Sequence, residues 1–163
     1  MPDIYSPAGV DITRVGSTAL FKLGQRAYGS DDQEYVYVLS SGTVAQYACV
    51  GIDENFTARS ITTTLAAEAN SPGFAQVAFA TDQYGWVAVK GHNLITRTKD
   101  NTAANAALYT STSVGVLTSV ASTGSPLLVN GVRAVSAAAS GGGATTIVAT
   151  YPTFTVHNEP SNN

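Results

Sequence analysis

Among the side chains that titrate near neutral pH, this sequence contains two histidines, which could bind a metal ion or transfer a proton. His92 follows Lys90 and Gly91 and precedes Asn93, a context that predicts a turn after a strand. His157 lies in the polar C-terminal segment. A zinc site needs three or four His, Cys or carboxylate ligands at characteristic spacings, and neither histidine has such neighbours. We therefore predict no metal site and interpret both as loop histidines.

The acidic residues also lack the spacing of a known ion site. Asp31, Asp32 and Glu34 form the densest acidic cluster, but a calcium loop needs ligands at alternating positions and a glycine at its bend. We interpret this cluster as a polar turn before a strand. Asp53 and Glu54 are likewise interpreted as a turn. A glycosidase requires two opposed carboxylates, an arrangement that the sequence neither favours nor excludes.

The sequence contains no motif for nucleophilic catalysis or phosphate binding. Cys49, the one cysteine, lies among apolar residues, which predicts a buried, unreactive thiol. There is no Gly-x-Ser-x-Gly turn, no His-Glu-x-x-His and no P-loop, and the Gly141–Gly143 run is not followed by Lys-Ser/Thr. We therefore predict no catalytic residues and no cofactor, and expect that the chain is not an enzyme.

Aromatic and apolar residues supply the remaining candidates. Tyr84 and Trp86 lie two positions apart and thus on one face of a predicted strand, where they either pack in the core or anchor an interface. Residues 1–18 contain two prolines and two glycines, which predicts an extended arm rather than a helix. The candidate interface residues are Ile4, Tyr5, Val10, Ile12, Tyr84 and Trp86.

Composition indicates one domain with an unusually uncharged surface. The chain has 163 residues, a net charge of −3 and 12% charged residues, about half of the usual share. Its eight basic residues are scattered, so nucleic-acid binding is not expected. No apolar run is long enough to span a membrane, and the N-terminus lacks the pattern of a signal peptide. We therefore expect synthesis in the cytoplasm and no membrane partner.

The pattern of elements predicts an all-β fold, a barrel or sandwich of short antiparallel strands. We expect an arm at 1–18, a β-rich domain at 19–152, and a tail outside the core at 153–163. One short helix is predicted at Thr62–Ala69, and a flexible hairpin tip at Ser140–Gly143. The predicted strands are Ala19–Leu23, Glu34–Leu39, Thr43–Ile52, Phe74–Ala80, Tyr84–Lys90, Leu94–Arg97, Ala107–Thr110, Leu127–Val129, Val132–Val135 and Thr146–Tyr151, with Phe74–Ala80 and Tyr84–Lys90 forming a hairpin.

Several short sequence segments within residues 20–152 resemble those of small head proteins of tailed phages, which decorate and stabilise the capsid. They are Leu23–Gly29, Glu34–Val38, Val50–Asp53, Ala75–Phe79, Tyr84–Val89, Ala107–Thr110 and Ile147–Pro152. The resemblance implies a β-rich subunit, often trimeric, that binds the major capsid protein on the outside of the virion after synthesis in a bacterial host. There it would clamp neighbouring capsid subunits against internal DNA pressure.

Two other functional classes stay open. A phage tail or fibre adhesin would share the β-rich, hydroxyl-rich composition and would bind cell-surface glycans. A small hydrolase or lyase on a β scaffold would depend on Asp53, Glu54 or His92.

Overall fold

The computed structural model describes residues 10–68, 70–99, 102–121, 126–138 and 143–156. Strands account for 50% of the structure and helix for 4%, which confirms the predicted all-β class. The elements in chain order are β1 Arg26–Tyr28, β2 Glu34–Ser40, β3 Cys49–Ile52, β4 Thr57–Ser60, α1 Thr63–Ala67, β5 Ser71–Phe74, β6 Tyr84–Thr98, β7 Ala107–Thr110, β8 Leu117–Thr118, β9 Leu127–Ala134 and β10 Gly143–Val156.

A closed barrel of five strands forms the first half of the fold. Its strands pair in the order β2–β4–β3–β5–β6, and β6 returns to β2. The β2–β4 pairing is parallel and the others are antiparallel. Strand β1 extends the sheet beside β2. Closure removes the exposed sheet edges that β2 and β6 would otherwise have along their paired lengths.

A second circuit of strands uses β6 again. The pairing runs β6–β10–β9–β7–β8 and returns to β6 through the parallel bridge between Thr98 and Leu117. Residues Tyr84–Lys90 of β6 pair with β2, whereas most of the rest of this strand pairs with β10. We call these two circuits the first ring and the second ring. The 15-residue β6 belongs to both.

A β-bulge in the middle of β6 makes this double role possible. Gly91 and Leu94 pair with Ala149 and Ile147, so two residues of β6 lie opposite Val148. Gly91 has a φ of 135° and Asn93 a φ of 56°, conformations that glycine and asparagine tolerate better than most residues. A bulge bends its strand and increases the local twist.

The turn predicted at His92 was wrong, because this residue lies inside β6 at the bulge. Its backbone N–H donates to the carbonyl oxygen of Asp31 at 2.9 Å. Glycine and asparagine with positive φ are typical of both turns and bulges, so the local sequence does not distinguish the two. The pairing of this segment with β10 decides the outcome.

A recurring turn leads into six of the strands. In each case a residue with positive φ lies two positions before the strand begins. These residues are Gly24, Asp32, Tyr47, Asp82, Asn105 and Gly115. In five of the six, all except the turn at Asp82, a backbone hydrogen bond spans four residues, as in a β-turn. The sequence shows no internal repeat, yet the structure repeats this turn before six strands.

The buried residues form two clusters on opposite faces of β2 and β6. Val38 and Val87 belong to the cluster of the first ring, which also draws on β3 and β4. Tyr35, Tyr37 and Trp86 alternate with them and belong to a larger cluster that includes residues of β7, β8, β9 and β10. Both faces of β2 are therefore covered within one chain, as a strand with apolar residues on both faces requires.

Some predicted elements are confirmed and others differ. Helix α1 is confirmed within Thr62–Ala69, and the side chain of Thr62 accepts from the N–H of Leu65 at 3.2 Å as its N-cap. The predicted strand Ala19–Leu23 is wrong, because none of these residues lies in a strand and only a bend at Phe21 and a turn at Leu23 are present. The predicted runs Leu127–Val129 and Val132–Val135 join into β9, with Gly131 at a φ of 79°.

The predicted hairpin between Phe74–Ala80 and Tyr84–Lys90 is confirmed only at its base, where Phe74 pairs with Ala88 in an antiparallel arrangement. Strand β5 ends at Phe74, where the hairpin's first strand was expected to begin, and Phe79 forms an isolated bridge with Val44. The strand expected at Thr43–Ile52 begins only at Cys49, because the turn at Tyr47 interrupts it. Apolar composition therefore located these buried segments but not the length over which they pair.

The boundary of the C-terminal tail differs from the expectation that 153–163 lies outside the core. Strand β10 continues to Val156, and Phe154 packs against the larger buried cluster. Pro152 lies in the register shift of β10 between Ala149 and Thr153. Because the regular pairing is interrupted there, the missing N–H of proline removes no hydrogen bond between strands. The expected hairpin tip at Ser140–Gly143 lies outside the described residues except for Gly143.

Tyr35 provides a test of this packing at alkaline pH. Burial raises its pKa to about 12, and its hydroxyl donates to Oε1 of Gln33 at 2.8 Å. A tyrosine in the unfolded chain has its ordinary pKa of 10.0. Because the folded pKa is raised, the stabilisation is complete below pH ~10 and is lost as the pH rises towards ~12. Urea unfolding should therefore show a difference between wild type and Tyr35→Phe that is about 1.4 kcal/mol smaller at pH 11 than at pH 8. An equal difference at both pH values would contradict the assignment.

Candidate functional site

The second half of the predicted arm lies on the barrel. Gly16 pairs with Tyr84 through two backbone hydrogen bonds of 3.1 and 2.8 Å, and Ile12 is buried in the larger cluster. Asp11 shapes the turn before this contact, since its carboxylate accepts from the hydroxyl and the N–H of Thr13 at 2.7 and 2.9 Å. These hydrogen bonds lower the pKa of Asp11. Residues 1–9 lie outside the described residues.

Four aromatic rings form a cluster beneath this segment. The centroid of Tyr37 lies 5.0 Å from Trp86, 5.3 Å from Phe21 and 6.3 Å from Tyr84. Phe21 also lies 5.2 Å from Trp86. The hydroxyl of Tyr37 accepts from the N–H of Leu20 at 3.1 Å, which ties the segment after the arm to the same ring. Aromatic pairs at these separations stabilise beyond the area that they bury.

A groove of about 430 Å³ lies between the arm and the aromatic cluster. We call it the arm groove. It is lined by Val10, Asp11, Arg14, Val15, Gly16, Ser17, Thr18, Leu20, Phe21, Tyr37, Tyr84 and Trp86. Polar and apolar atoms line it in similar amounts, and protein–protein interfaces likewise combine aromatic anchors with polar contacts. The arrangement can therefore hold an apolar side chain of a partner while the polar groups orient it.

The structure brings three of the sequence-predicted interface residues together in the arm groove: Val10, Tyr84 and Trp86. Trp86 is only 1% exposed, so it forms the floor of the groove, in keeping with the alternative of core packing. Ile12 is buried nearby in the core, at 5% exposure. Ile4 and Tyr5 lie outside the described residues. Val10 and Tyr84 are partly buried and remain accessible from the groove.

Sequence reasoning missed the other aromatic members of this groove. Phe21 was assigned to a strand that does not form, and Tyr37 was assigned to the strand Glu34–Leu39 without a functional role. Leu20 was also missed, although it is 49% exposed and lines the opening. The alternation of Tyr35 and Tyr37 in β2 was a signal that a second aromatic face had to be covered.

The acidic cluster at Asp31, Asp32 and Glu34 forms separate contacts rather than one ion site. Glu34 is buried and pairs with Arg26, and its other oxygen accepts from the hydroxyl of Tyr151 at 2.5 Å. Asp32 forms an ion pair with Lys90 at 2.8 Å. These contacts tie the polar turn before β2 to β6 and β10. Within the described residues, no group of three or more His, Cys, Asp or Glu could hold a metal ion.

Two of the remaining predicted residues are held in structural contacts. The carboxylate of Asp53 accepts from the N–H groups of Asn55 and Thr57 at 2.9 and 2.8 Å, which is the turn that the sequence predicts. Cys49 is fully buried, and burial raises the pKa of its thiol far above the usual range. Glu54 and His92 are exposed.

The fold and the arm groove define an all-β protein built on a closed five-stranded barrel. No family model, no curated protein and no solved structure matches this chain. None of the described helices is long and apolar enough to cross a membrane.

Proposed function

We propose that this protein is a structural component of a phage virion that binds the outer surface of the capsid and stabilises it. The observation that carries the proposal is the arm groove, where the predicted interface residues Val10 and Tyr84 lie beside the exposed Leu20. The resemblance of residues 20–152 to decoration proteins and the all-β fold support the same function. The low charge also suits close packing of many copies on a surface.

The groove and the arm would act together on the major capsid protein. Residues 1–9 directly precede Val10 in the sequence, and Val10 lines the arm groove. An extended segment containing Ile4 and Tyr5 would add a strand to a sheet edge of the capsid protein, while the groove accepts an apolar side chain from it. The resemblance favours a trimer, and many copies would bind one particle. Because multivalent binding adds the contributions of the copies, a modest contact in each copy is sufficient.

Copy number in purified virions tests the function directly. Quantitative mass spectrometry should give a ratio to the major capsid protein near one or a simple fraction of it. A few copies per particle would instead support a tail or fibre adhesin. Absence from virions would overturn the virion proposal.

Deleting residues 2–9 tests the arm and keeps every described residue of the chain. A longer deletion to residue 18 would also remove the buried Ile12 and the pairing of Gly16 with Tyr84. A loss of capsid binding could then result from a loss of folding. We expect the shorter deletion to lower the copy number on capsids at least about 10-fold, because strand addition supplies several backbone hydrogen bonds. A chain with residues 2–9 in scrambled order is the matched control for length. Normal decoration by the deleted chain would contradict the role of the arm.

A further inference from the structure

A second groove, remote in sequence from the arm, lies where the two rings meet at the end of β6. It has a volume of about 720 Å³. It is lined by Gln46, Tyr47, Arg97, Thr98, Lys99, Ser113, Val116, Thr118, Gly143 and Ala144. We call it the basic groove. Its walls come from the turn before β3, the end of β6, the turn before β8 and the start of β10.

Tyr47 is held at the wall of the basic groove in a strained backbone conformation. Its φ is 65°, which is uncommon for a bulky aromatic residue. The carbonyl oxygen of Tyr47 accepts from the N–H of Arg97 at 2.7 Å, and its own N–H donates to Ala75 at 2.7 Å. Two elements therefore fix the turn and place the aromatic residue beside a cationic one.

The charge of the basic groove differs from that of the whole chain. Arg97 and Lys99 both line it, whereas the chain has a net charge of −3. No carboxylate side chain is among the lining residues, and neither cation forms an ion pair within the part of the chain that the structure describes. By contrast, Arg26 and Lys90 are each paired with a carboxylate. The Nζ of Lys99 donates to the hydroxyl of Thr112 at 3.1 Å and keeps further donors available.

Polar groups suited to a hydroxylated ligand surround the two cations. The hydroxyls of Tyr47 and Ser113 have no hydrogen-bond partner among the described residues. A guanidinium binds a carboxylate through two parallel hydrogen bonds, and an aromatic ring packs against the apolar face of a sugar. The groove volume lies within the range of small-ligand pockets, about 300–1,000 Å³. Two cations are too few to bind duplex nucleic acid through its phosphates.

We infer that the basic groove binds an acidic oligosaccharide, with Arg97 and Lys99 holding the carboxylate of a uronic acid and Tyr47 and Ser113 binding its hydroxyl groups. This activity is separate from capsid binding, which is assigned to the arm groove. It would give each copy of the protein a contact for acidic glycans on a cell surface, and the many copies on a particle would raise the avidity.

The test is a titration of the purified, isotope-labelled full chain followed by NMR. A galacturonic acid trisaccharide should shift the amide signals of Tyr47, Arg97 and Ser113, and a neutral galactose trisaccharide should bind at least about 10-fold more weakly. Arg97→Gln and Lys99→Gln should each weaken binding of the acidic trisaccharide about 10-fold. Arg133→Gln is the matched control, because Arg133 is exposed on β9 and does not line the groove. Its affinity should stay within about twofold of wild type.

Several results would overturn the inference. They are equal binding of the neutral and acidic trisaccharides, an equal loss in the Arg133→Gln control, or inorganic phosphate binding as tightly as the acidic trisaccharide. Signal shifts confined to the arm groove, or none at millimolar trisaccharide, would do the same. Because the measurement uses the isolated chain, its outcome is independent of virion copy number.

Discussion

Replacing Trp86 with alanine should lower the free energy of unfolding by about 3–5 kcal/mol, the range found when large buried aromatic residues are truncated. Trp86 is 1% exposed and contacts the rings of Phe21 and Tyr37 at 5.2 and 5.0 Å between centroids. Its removal leaves a cavity at the floor of the arm groove that these rings fill only in part. Urea unfolding followed by far-UV circular dichroism measures the loss without relying on the fluorescence of this one tryptophan.

Two further variants show whether the loss comes from the aromatic cluster. Trp86→Phe keeps a ring against Phe21 and Tyr37 and should lose less than Trp86→Ala. Val120→Ala changes a side chain that is 63% exposed and should stay within about 0.5 kcal/mol of wild type. If Trp86→Ala were as stable as Val120→Ala, Trp86 would not be part of the core.

Gly91→Ala should destabilise the protein by about 2–4 kcal/mol, because two unfavourable effects act at the same position. The φ of Gly91 is 135°, in a region that residues with a side chain rarely adopt. A Cβ atom there would lie 2.6 Å from Cγ and 2.7 Å from the backbone Cα of Gln33. Gln33 can withdraw its side chain but not its backbone. Either the β6 bulge or the turn before β2 must therefore move.

Gly42→Ala is the matched control for this prediction. A Cβ atom at Gly42 would meet no heavy atom within 4 Å, and its φ lies outside the positive region. The free energy of unfolding should therefore change by less than about 1 kcal/mol, and any change should be towards stability through the entropy of the unfolded chain. Thermal and urea unfolding of both variants distinguish a specific cost at Gly91 from a general cost of adding a methyl group. Equal stabilities would contradict the described bulge.

The fold class could be predicted because strand composition and turn residues are local properties of the sequence. Strand β2 was located within one residue, since its alternating Tyr and Val residues fit a strand covered on both faces. Strand β7 was predicted with its observed bounds, Ala107–Thr110. The pairing of strands could not be predicted in this way. The run Phe74–Ala80 has the composition of a hairpin strand, but contacts with β3 and β6, far away in sequence, determine where β5 ends.

The candidate site was predictable to a smaller extent. Tyr84 and Trp86 were recognised because they lie two positions apart, but the same spacing fits both packing and binding. Only the positions of Phe21 and Tyr37 around Trp86 show which ring faces the groove and which forms its floor. The basic groove could not be predicted from the sequence either, because it depends on how segments far apart in sequence are placed together. Arg97 and Lys99 resemble a solvated strand end until the turn at Tyr47 is brought beside them.

The sharing of β6 between the two rings sets where this chain can be cut or joined. The two rings cannot be separated without cutting β6 or leaving half of it unpaired, because Tyr84–Lys90 pair with β2 and most of the rest of the strand pairs with β10. The ten strands from Arg26 to Val156 must therefore be inherited, exchanged or engineered together. A display peptide is best inserted at Ser41–Gly42 between β2 and β3, because a Cβ atom at Gly42 would meet no heavy atom within 4 Å.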